Sequence, residues 1–339
     1  MLSLLNLIKK SFWQLGILCL TLLGLLAFTF ALQQASPIDP IIKIVGDKAS
    51  EETYNQVKTE LGLDKPLVVQ FYNYLTQILS GDFGISNTSQ KPVLTELLEV
   101  FPATLEITIL SVIIGSLIGI GLGLLSARQA NNFVDNLIRL FILPGIAMPA
   151  FLLGVIFITL FYAHLDWLPI GGKWSMSIEY QFPTDFRWTH ISLIDGLRSP
   201  VEGAFMDAIL HLTLPVSLLS YFTLCTVCRM TRSAALEELS KEYVVLAKVT
   251  GNTNWQILFR HIMPNIKNSL IIIIALHFTH LLEGAVLTEV VFSWPGMGRY
   301  LKEAFLASNH NAIIGGTLII GGCFIAINMT TEKLTANSK

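Results

Sequence analysis

Apolar residues are gathered into long runs along this chain, and polar residues separate the runs. A run of about 20 apolar residues is long enough to cross the hydrocarbon core of a bilayer as one α-helix. There are six such runs: Phe12–Leu32, Leu105–Ala127, Leu137–Ala163, Ala208–Cys228, Ser269–Phe292 and Ala312–Met329. The pattern therefore predicts an all-α polytopic membrane protein with six transmembrane helices.

The first run has a rival interpretation as a cleaved signal peptide. Its apolar region is longer than a signal peptide's, and no small-x-small cleavage site follows it. We therefore predict an uncleaved membrane anchor.

Positive charge orients the predicted helices. Lys9 and Lys10 precede the first run, and Arg128 lies in the short loop after the second. Because Lys and Arg are enriched in cytoplasmic loops, both termini are predicted to be cytoplasmic in a bacterial inner membrane. The segments 33–104 and 164–207 then lie on the periplasmic side.

The composition agrees with a membrane location. The 339 residues are 53% hydrophobic and 14% charged, whereas a soluble domain carries about a quarter charged residues. The net charge of −2 and the lack of basic tracts or zinc spacing predict neither nucleic-acid binding nor a metal site. The spacing Cys225-x-x-Cys228 is typical of redox motifs, but all four cysteines lie in apolar runs, which favours packing.

Residues 229–267 form a polar, helix-forming hairpin between the fourth and fifth runs. The first apolar stripe consists of Leu239, Tyr243, Leu246 and Thr250, and the second of Trp255, Leu258, Phe259 and Ile262. Spacings of three and four residues predict two short amphipathic helices, the first ended by Gly251 and the second by Pro264. Such a pair fits either a groove in a partner protein or the lipid headgroups.

The run Ala247-x-x-x-Gly251, with Pro264 further on, resembles the coupling loop of ABC-transporter permeases. That pattern is Glu-Ala-Ala-x-x-x-Gly followed by Ile-x-Leu-Pro. Four positions depart from it: Val245, Leu246, His261 and Met263. We call residues 229–267 the coupling loop.

Further motifs are similar to the dipeptide/oligopeptide/nickel branch of these permeases. They are Leu61-Gly62-Leu63-Asp64-Lys65-Pro66-Leu67, Gly81-Asp82-Phe83-Gly84-Ile85-Ser86, Trp167-Leu168-Pro169, His211-Leu212-x-Leu214-Pro215, Arg229-x-x-Arg232 and Pro295-Gly296-Met297-Gly298. Within the branch, residues 99–106 and 288–299 most resemble the Sap-type permeases. That resemblance implies a pathway for cationic antimicrobial peptides, with a role in resistance to them, or for polyamines such as putrescine. Import of dipeptides, oligopeptides or nickel is the alternative.

The resemblance implies the type I importer fold and a set of partners. These are a second homologous permease, two cytoplasmic ATPases, a periplasmic substrate-binding protein and the surrounding membrane lipid. No Gly-x-x-x-x-Gly-Lys-Ser/Thr motif occurs in the chain, so ATP and Mg²⁺ are expected on the ATPases. This chain is expected to bind no cofactor and to be no enzyme itself.

Three groups of site residues follow. ATPase coupling is assigned to Glu242, Tyr243, Ala247, Gly251, Arg260 and Pro264. Ionisable residues at bilayer depth, which usually face protein or water, give a candidate cation pathway at Glu106, His277, His280 and Glu283. The alternative is that the two glutamates lie near the outer surface and the histidines pair with neighbouring helices. A candidate periplasmic gate is the turn with Trp294, Pro295, Gly296 and Gly298.

The predicted domain organisation has four parts. Residues 1–32 hold the cytoplasmic tip and first helix, 33–100 the periplasmic segment, 101–330 the permease core, and 331–339 a cytoplasmic tail. Within the core, Gly115, Gly119, Gly121 and Gly123 allow close helix contact, either inside the bundle or with the second permease.

Two other classes of protein are less consistent with the sequence. A secondary transporter driven by an ion gradient would show internal repeats with broken helices, and no convincing repeat is found. A membrane enzyme would need a cluster of catalytic groups, whereas His261 and His310 are isolated.

Overall fold

The computed structural model describes residues 16, 19–31, 34, 40–46, 50–60 and 62–336, and these are predominantly helical. The chain divides into two compact units. One comprises Met1–Leu97 with Ala304–Ile325, and the other comprises Leu98–Glu303 with Ala326–Lys339.

The first unit combines short helices with parts of two long helices. Its helices are α1 (Cys19–Ala31), α2 (Pro40–Val45), α3 (Glu51–Glu60), α4 (Leu67–Leu79), the first turn of α5 (Val93–Arg128) and much of α15 (His310–Ala336). Helix α3 lies within the predicted periplasmic segment 33–100.

Helix α4 packs against α1 through aromatic rings. Phe71 and Phe30 have ring centroids 5.4 Å apart, and the hydroxyls of Tyr74 and Thr29 lie 3.1 Å apart. Helix α4 is thus held against α1.

The second unit contains the remaining helices. They are most of α5, α6 (Phe133–Ala147), α7 (Ala150–Phe157), α8 (Met176–Gln181), α9 (Ser192–Arg198), α10 (Ala204–Leu239), α11 (Glu242–Val249), α12 (Asn254–Gln256), α13 (Met263–Val291) and α14 (Met297–Leu306). One π-helical turn, Ile158–His164, extends α7, and another, Ile257–Ile262, joins α12 to α13.

Four helices in the described part of the chain are long and apolar enough to cross a membrane. They are Val93–Arg128, Ala204–Leu239, Asn254–Leu282 and His310–Thr331. They correspond to the second, fourth, fifth and sixth predicted runs. Of the first run, the structure describes the 13-residue helix Cys19–Ala31.

The third predicted run is broken by a bend and is not one continuous helix. Helix α6 and the helical segment Ala150–His164 meet at an angle of 109°. Met148 has the extended torsions φ −98°, ψ 142° because the ring of Pro149 disfavours helical backbone at the residue before it. The pair forms either one broken span or a re-entrant loop.

The predicted glycine stripe joins α5 to α10 within the second unit. A Cβ on Gly115 would lie 2.5 Å from the Ser220 carbonyl oxygen, and one on Gly123 would lie 2.6 Å from Thr231 Cβ. A Cβ on Gly121 would meet no atom within 4 Å, so Gly121 does not belong to the contact. The stripe therefore serves packing inside the bundle, the first of the two alternatives.

Cys225 and Cys228 are free and buried. They pack with Ile138, Ile142 and Leu224 between α6 and α10. The structure thus supports the packing interpretation of this spacing.

Candidate functional site: the coupling loop and three buried carboxylates

The structure narrows the coupling loop, because residues 229–239 continue α10 and residues 263–267 begin α13. Residues 242–262, called the coupling loop from here on, fold as a helical hairpin whose inner face is part of the protein core. Its buried residues Val244, Ala247, Ile257, Leu258 and Ile262 share one cluster with Leu124 and Ala127 at the end of α5. Burial of this apolar surface, at roughly 25 cal/mol per Å², holds the hairpin against α5.

The outer face of the hairpin is also apolar, but it is exposed. Its exposed residues are Val245, Leu246, Val249 and Phe259. Leu246, for example, is 66% exposed. An exposed apolar surface of this kind is typical of a contact with protein or lipid.

The first predicted stripe was partly wrong. Val244 and Ala247 are buried, whereas Leu246 and Thr250 are exposed. Lys241 has the extended torsions φ −80°, ψ 151° and separates α10 from α11. Because α11 starts anew at Glu242, the periodicity that includes Leu239 does not continue across the break.

Gly251 ends α11 as predicted, with φ +85°. Its N–H donates to the Lys248 carbonyl (3.1 Å), and the N–H of Asn252 donates to the Ala247 carbonyl (3.2 Å). A Cβ on Gly251 would meet nothing within 4 Å. Glycine is therefore favoured by the backbone angle and not by lack of space.

The second helix of the hairpin begins at a capping signal that was not predicted. Thr253 and Gln256 form a reciprocal capping box, and the spacing Thr-x-x-Gln is its signature. In the second stripe, Leu258 is buried and Trp255 is exposed.

Pro264 does not end the second helix, which corrects that prediction. The helix runs on to Val291, and Pro264 lies in the first turn of α13. A proline lacks the N–H that an α-helix would use and clashes with the preceding turn. The π-helical turn Ile257–Ile262 immediately before it widens the backbone and accommodates the proline.

Tyr243 ties the hairpin to both long helices. Its hydroxyl donates to Glu238 of α10 (2.7 Å) and accepts from Asn265 of α13 (3.1 Å). Burial raises the pKa of Tyr243, and the bond to Glu238 adds to the rise, so the phenol stays protonated as a donor. Of the other residues assigned to coupling, Glu242, Arg260 and Pro264 are exposed.

Glu106, assigned to a cation pathway, is engaged by protein groups. It is 5% exposed and accepts from Ser192 N, Ser192 Oγ and Leu193 N, each at 2.9 Å. Ser192 N and Leu193 N are the first N–H groups of α9, where a carboxylate is favourable. This geometry favours a structural role for Glu106.

The other pathway residues lie on α13. His277 Nε2 is buried and has no hydrogen-bond partner within the described residues. His280 is exposed. The side chain of Glu283 lies outside the described part of the structure, so its role stays a prediction.

The gate turn is anchored in the core of the second unit. Trp294 is 1% exposed, and its indole N–H donates to the Ala103 carbonyl (3.0 Å). In the described conformation, the turn between α13 and α14 is therefore closely packed against α5.

Glu289, which was not predicted as a site residue, organises this turn. Its carboxylate accepts from Thr104 Oγ1 (2.5 Å), Gly298 N (2.7 Å) and Arg299 N (3.0 Å). A Cβ on Gly296 would collide with Glu289 Oε1, and one on Gly298 would collide with Val286 Cα. An acidic residue within an apolar run, just before a Pro-Gly-x-Gly turn, was the available signal.

Asp135 and Arg232 form a second buried polar centre that was not predicted. The Asp135 side chain is fully buried, and Arg232 Nη2 lies 2.7 Å from its Oδ2. In the sequence, Arg232 stands out only as part of a family motif.

Comparison with known proteins places the chain in a family. Residues 119–336 match the profile "Binding-protein-dependent transport system inner membrane component", and residues 6–108 match the N-terminal profile of such components. The chain belongs to this family of transport-system membrane components. It is thus a multi-pass inner-membrane permease, as the resemblance implied.

Its relatives include three proteins described as peptide permeases. A probable D,D-dipeptide transport system permease of Escherichia coli K12 is 38% identical over 317 residues, covering 94% of this chain and 92% of that protein. A di/tripeptide permease of Pseudomonas aeruginosa UCBPP-PA14 is 34% identical and the dipeptide permease of E. coli K12 is 33% identical, and each alignment covers 95% of this chain and 94% of the relative. The dipeptide/oligopeptide branch is confirmed.

Among solved structures, an inward-facing methionine ABC transporter aligns with a TM-score of 0.48 and 15% identity. The alignment covers 69% of this chain and 93% of that one.

Proposed function

We propose that this chain is the permease subunit of an ATP-driven importer of short peptides. The observation that carries the proposal is the coupling loop, which is packed into the core on one face and exposes an apolar surface on the other. Because the loop is anchored to α5, α10 and α13, a partner that moves it would also move those helices. This is the property that a transporter driven by separate ATPases requires.

The relatives favour peptides of dipeptide size as the substrate. They are described as permeases for dipeptides, D,D-dipeptides or di/tripeptides. This supports the dipeptide alternative over cationic antimicrobial peptides, putrescine or nickel. The family description as binding-protein-dependent also argues against a carrier driven by an ion gradient.

The proposed assembly has the partners that the resemblance implied. A second homologous permease completes the pathway, a periplasmic protein delivers the peptide, and two cytoplasmic ATPases bind ATP and Mg²⁺. In this assembly residues 33–100 are periplasmic, 101–330 form the core, and both termini, with the tail 331–339, are cytoplasmic.

Within the assembly, Glu242, Tyr243, Gly251 and Arg260 shape or border the ATPase contact. His277 and His280, both on α13, face the pathway. The turn from Trp294 to Gly298 closes the periplasmic side.

The test is uptake of labelled alanyl-alanine by membrane vesicles from cells with and without this chain. We expect uptake that requires ATP, disappears without the chain, and is blocked by excess unlabelled alanyl-alanine but not by putrescine. Uptake that ignores ATP and follows a proton gradient would contradict the ATP-driven proposal. Inhibition of this uptake by putrescine but not by unlabelled alanyl-alanine would support the polyamine alternative.

A further inference from the structure

A buried ion pair joins α6 to α10 near the end of α5 that contacts the coupling loop. Asp135 Oδ1 accepts from Arg232 Nε at 2.8 Å, and Oδ2 accepts from Arg232 Nη2 at 2.7 Å. Such a two-point contact fixes direction as well as distance, because the guanidinium is planar.

Two further donors complete the hydrogen bonding of the Asp135 carboxylate. Ser126 Oγ, near the end of α5, donates to Oδ1 at 2.5 Å, and the Asn131 N–H, in the α5–α6 turn, donates to Oδ2 at 2.9 Å. Asp135 therefore links α5, the turn after it, the start of α6 and, through Arg232, α10.

The opposite face of the same α5 segment contacts the coupling loop. Leu124 and Ala127 pack in the cluster that buries Val244 and Ala247. The Arg128 guanidinium lies 4.6 Å from the centre of the Trp255 ring, a favourable cation–π distance. The end of α5 is thus held by the coupling loop on one face and by Asp135 on the other.

We propose that Asp135 and Arg232 are positioning residues for transport, which make the end of α5, the start of α6 and α10 follow the coupling loop as one body. This inference rests on the proposed function, since it concerns how movement of the coupling loop reaches the membrane helices. Without the pair, the coupling loop moves while α6 lags behind. ATP is then hydrolysed without a full opening of the pathway.

A purely stabilising role makes a different prediction. Replacing a buried ion pair with apolar residues of similar volume is often neutral or stabilising. The double variant Asp135→Leu with Arg232→Met therefore removes the pair without leaving a buried charge, and it separates positioning from stability. Arg232→Lys keeps the charge but loses the two-point contact, and it serves if the double variant fails to fold.

The experiment measures labelled alanyl-alanine transported per ATP hydrolysed, in liposomes that contain the complex purified with its own partner subunits. For both variants we expect the ATPase to co-purify at the normal level while peptide transported per ATP falls about fivefold or more. The control is Glu179→Leu with Arg187→Met, which removes the half-exposed pair of the external segment, 2.7 Å apart, and should keep the normal ratio.

A normal ratio in both variants overturns the inference. This holds whether both rates are normal or both are lowered in equal proportion, as expected from loss of assembled complex. If the unmodified complex transports without ATP, the proposed function fails instead.

Discussion

At the scale of single residues, two glycines of this chain serve different physical needs. Gly251 has a positive φ with open space around it, whereas Gly296 lies where a side chain would enter the Glu289 carboxylate. Gly251 follows α11 and Gly296 precedes α14. In the sequence, both glycines are therefore recognisable only as residues near a helix end. Only the packed structure separates a conformational need from a spatial one.

Gly296→Ala should destabilise the protein because the new methyl group collides with Glu289. Overpacking of this kind costs about 1–3 kcal/mol, which we expect as a lower thermal unfolding midpoint in detergent. Gly284→Ala is the matched control, since a Cβ there meets nothing within 4 Å and alanine favours a helix. An unchanged midpoint for Gly296→Ala would show that the turn is not packed around Glu289.

Buried carboxylates are the residues that sequence reasoning placed least well. Glu106 was assigned to a pathway, yet it holds the start of α9. Glu289 and Asp135 received no role, yet each accepts at least three hydrogen bonds. For Glu106 and Glu289 the pattern shows an acid in an apolar run, but Ser192 lies 86 residues from Glu106 and Thr104 lies 185 residues from Glu289 in the chain.

At the scale of secondary structure elements, the coupling loop is a two-faced hairpin. The break at Lys241 resets the helical phase, so that Ala247 faces the core at 6% exposure and Leu246 faces outwards. Substitutions on the two faces should therefore have separable effects.

Leu246→Glu should abolish co-purification of the ATPase while the chain still inserts and folds. A charge on the outer face interrupts an apolar contact without entering the core. Leu197→Glu on α9, whose side chain is 70% exposed, is the control and should leave the ATPase bound. Normal recovery of the ATPase with Leu246→Glu would refute the assignment of this face.

Ala247→Asp and Gly251→Pro are weaker probes of the same contact. The first places a charge among buried apolar residues, which is costly. The second cannot adopt a φ of +85°, since the proline ring fixes φ near −65°. Both would disturb the hairpin itself, so loss of the ATPase would not identify the contact.

At the scale of the whole molecule, the distribution of charge predicts a fixed orientation in the membrane. Lys248 lies in the coupling loop, and Tyr180, 87% exposed, lies in the segment between α7 and α10. Under the proposed topology these two positions face opposite sides of the bilayer.

An impermeant maleimide should label Tyr180→Cys from outside intact spheroplasts and Lys248→Cys only after permeabilisation. The background is a variant in which all four native cysteines are replaced by alanine. The reverse labelling would invert the topology, and labelling of both from outside would place the coupling loop in the periplasm.

The sequence by itself determined the membrane class, the position of the long helices, the helix end at Gly251 and the family. These depend on local quantities: the length of apolar runs, the charge of short loops, and residues whose backbone preferences hold in any context. Tertiary structure decided the face that α11 buries and the partners of Glu106, Asp135 and Glu289. Each of these depends on which distant segment is packed against the residue, and periodicity along the chain carries no such information.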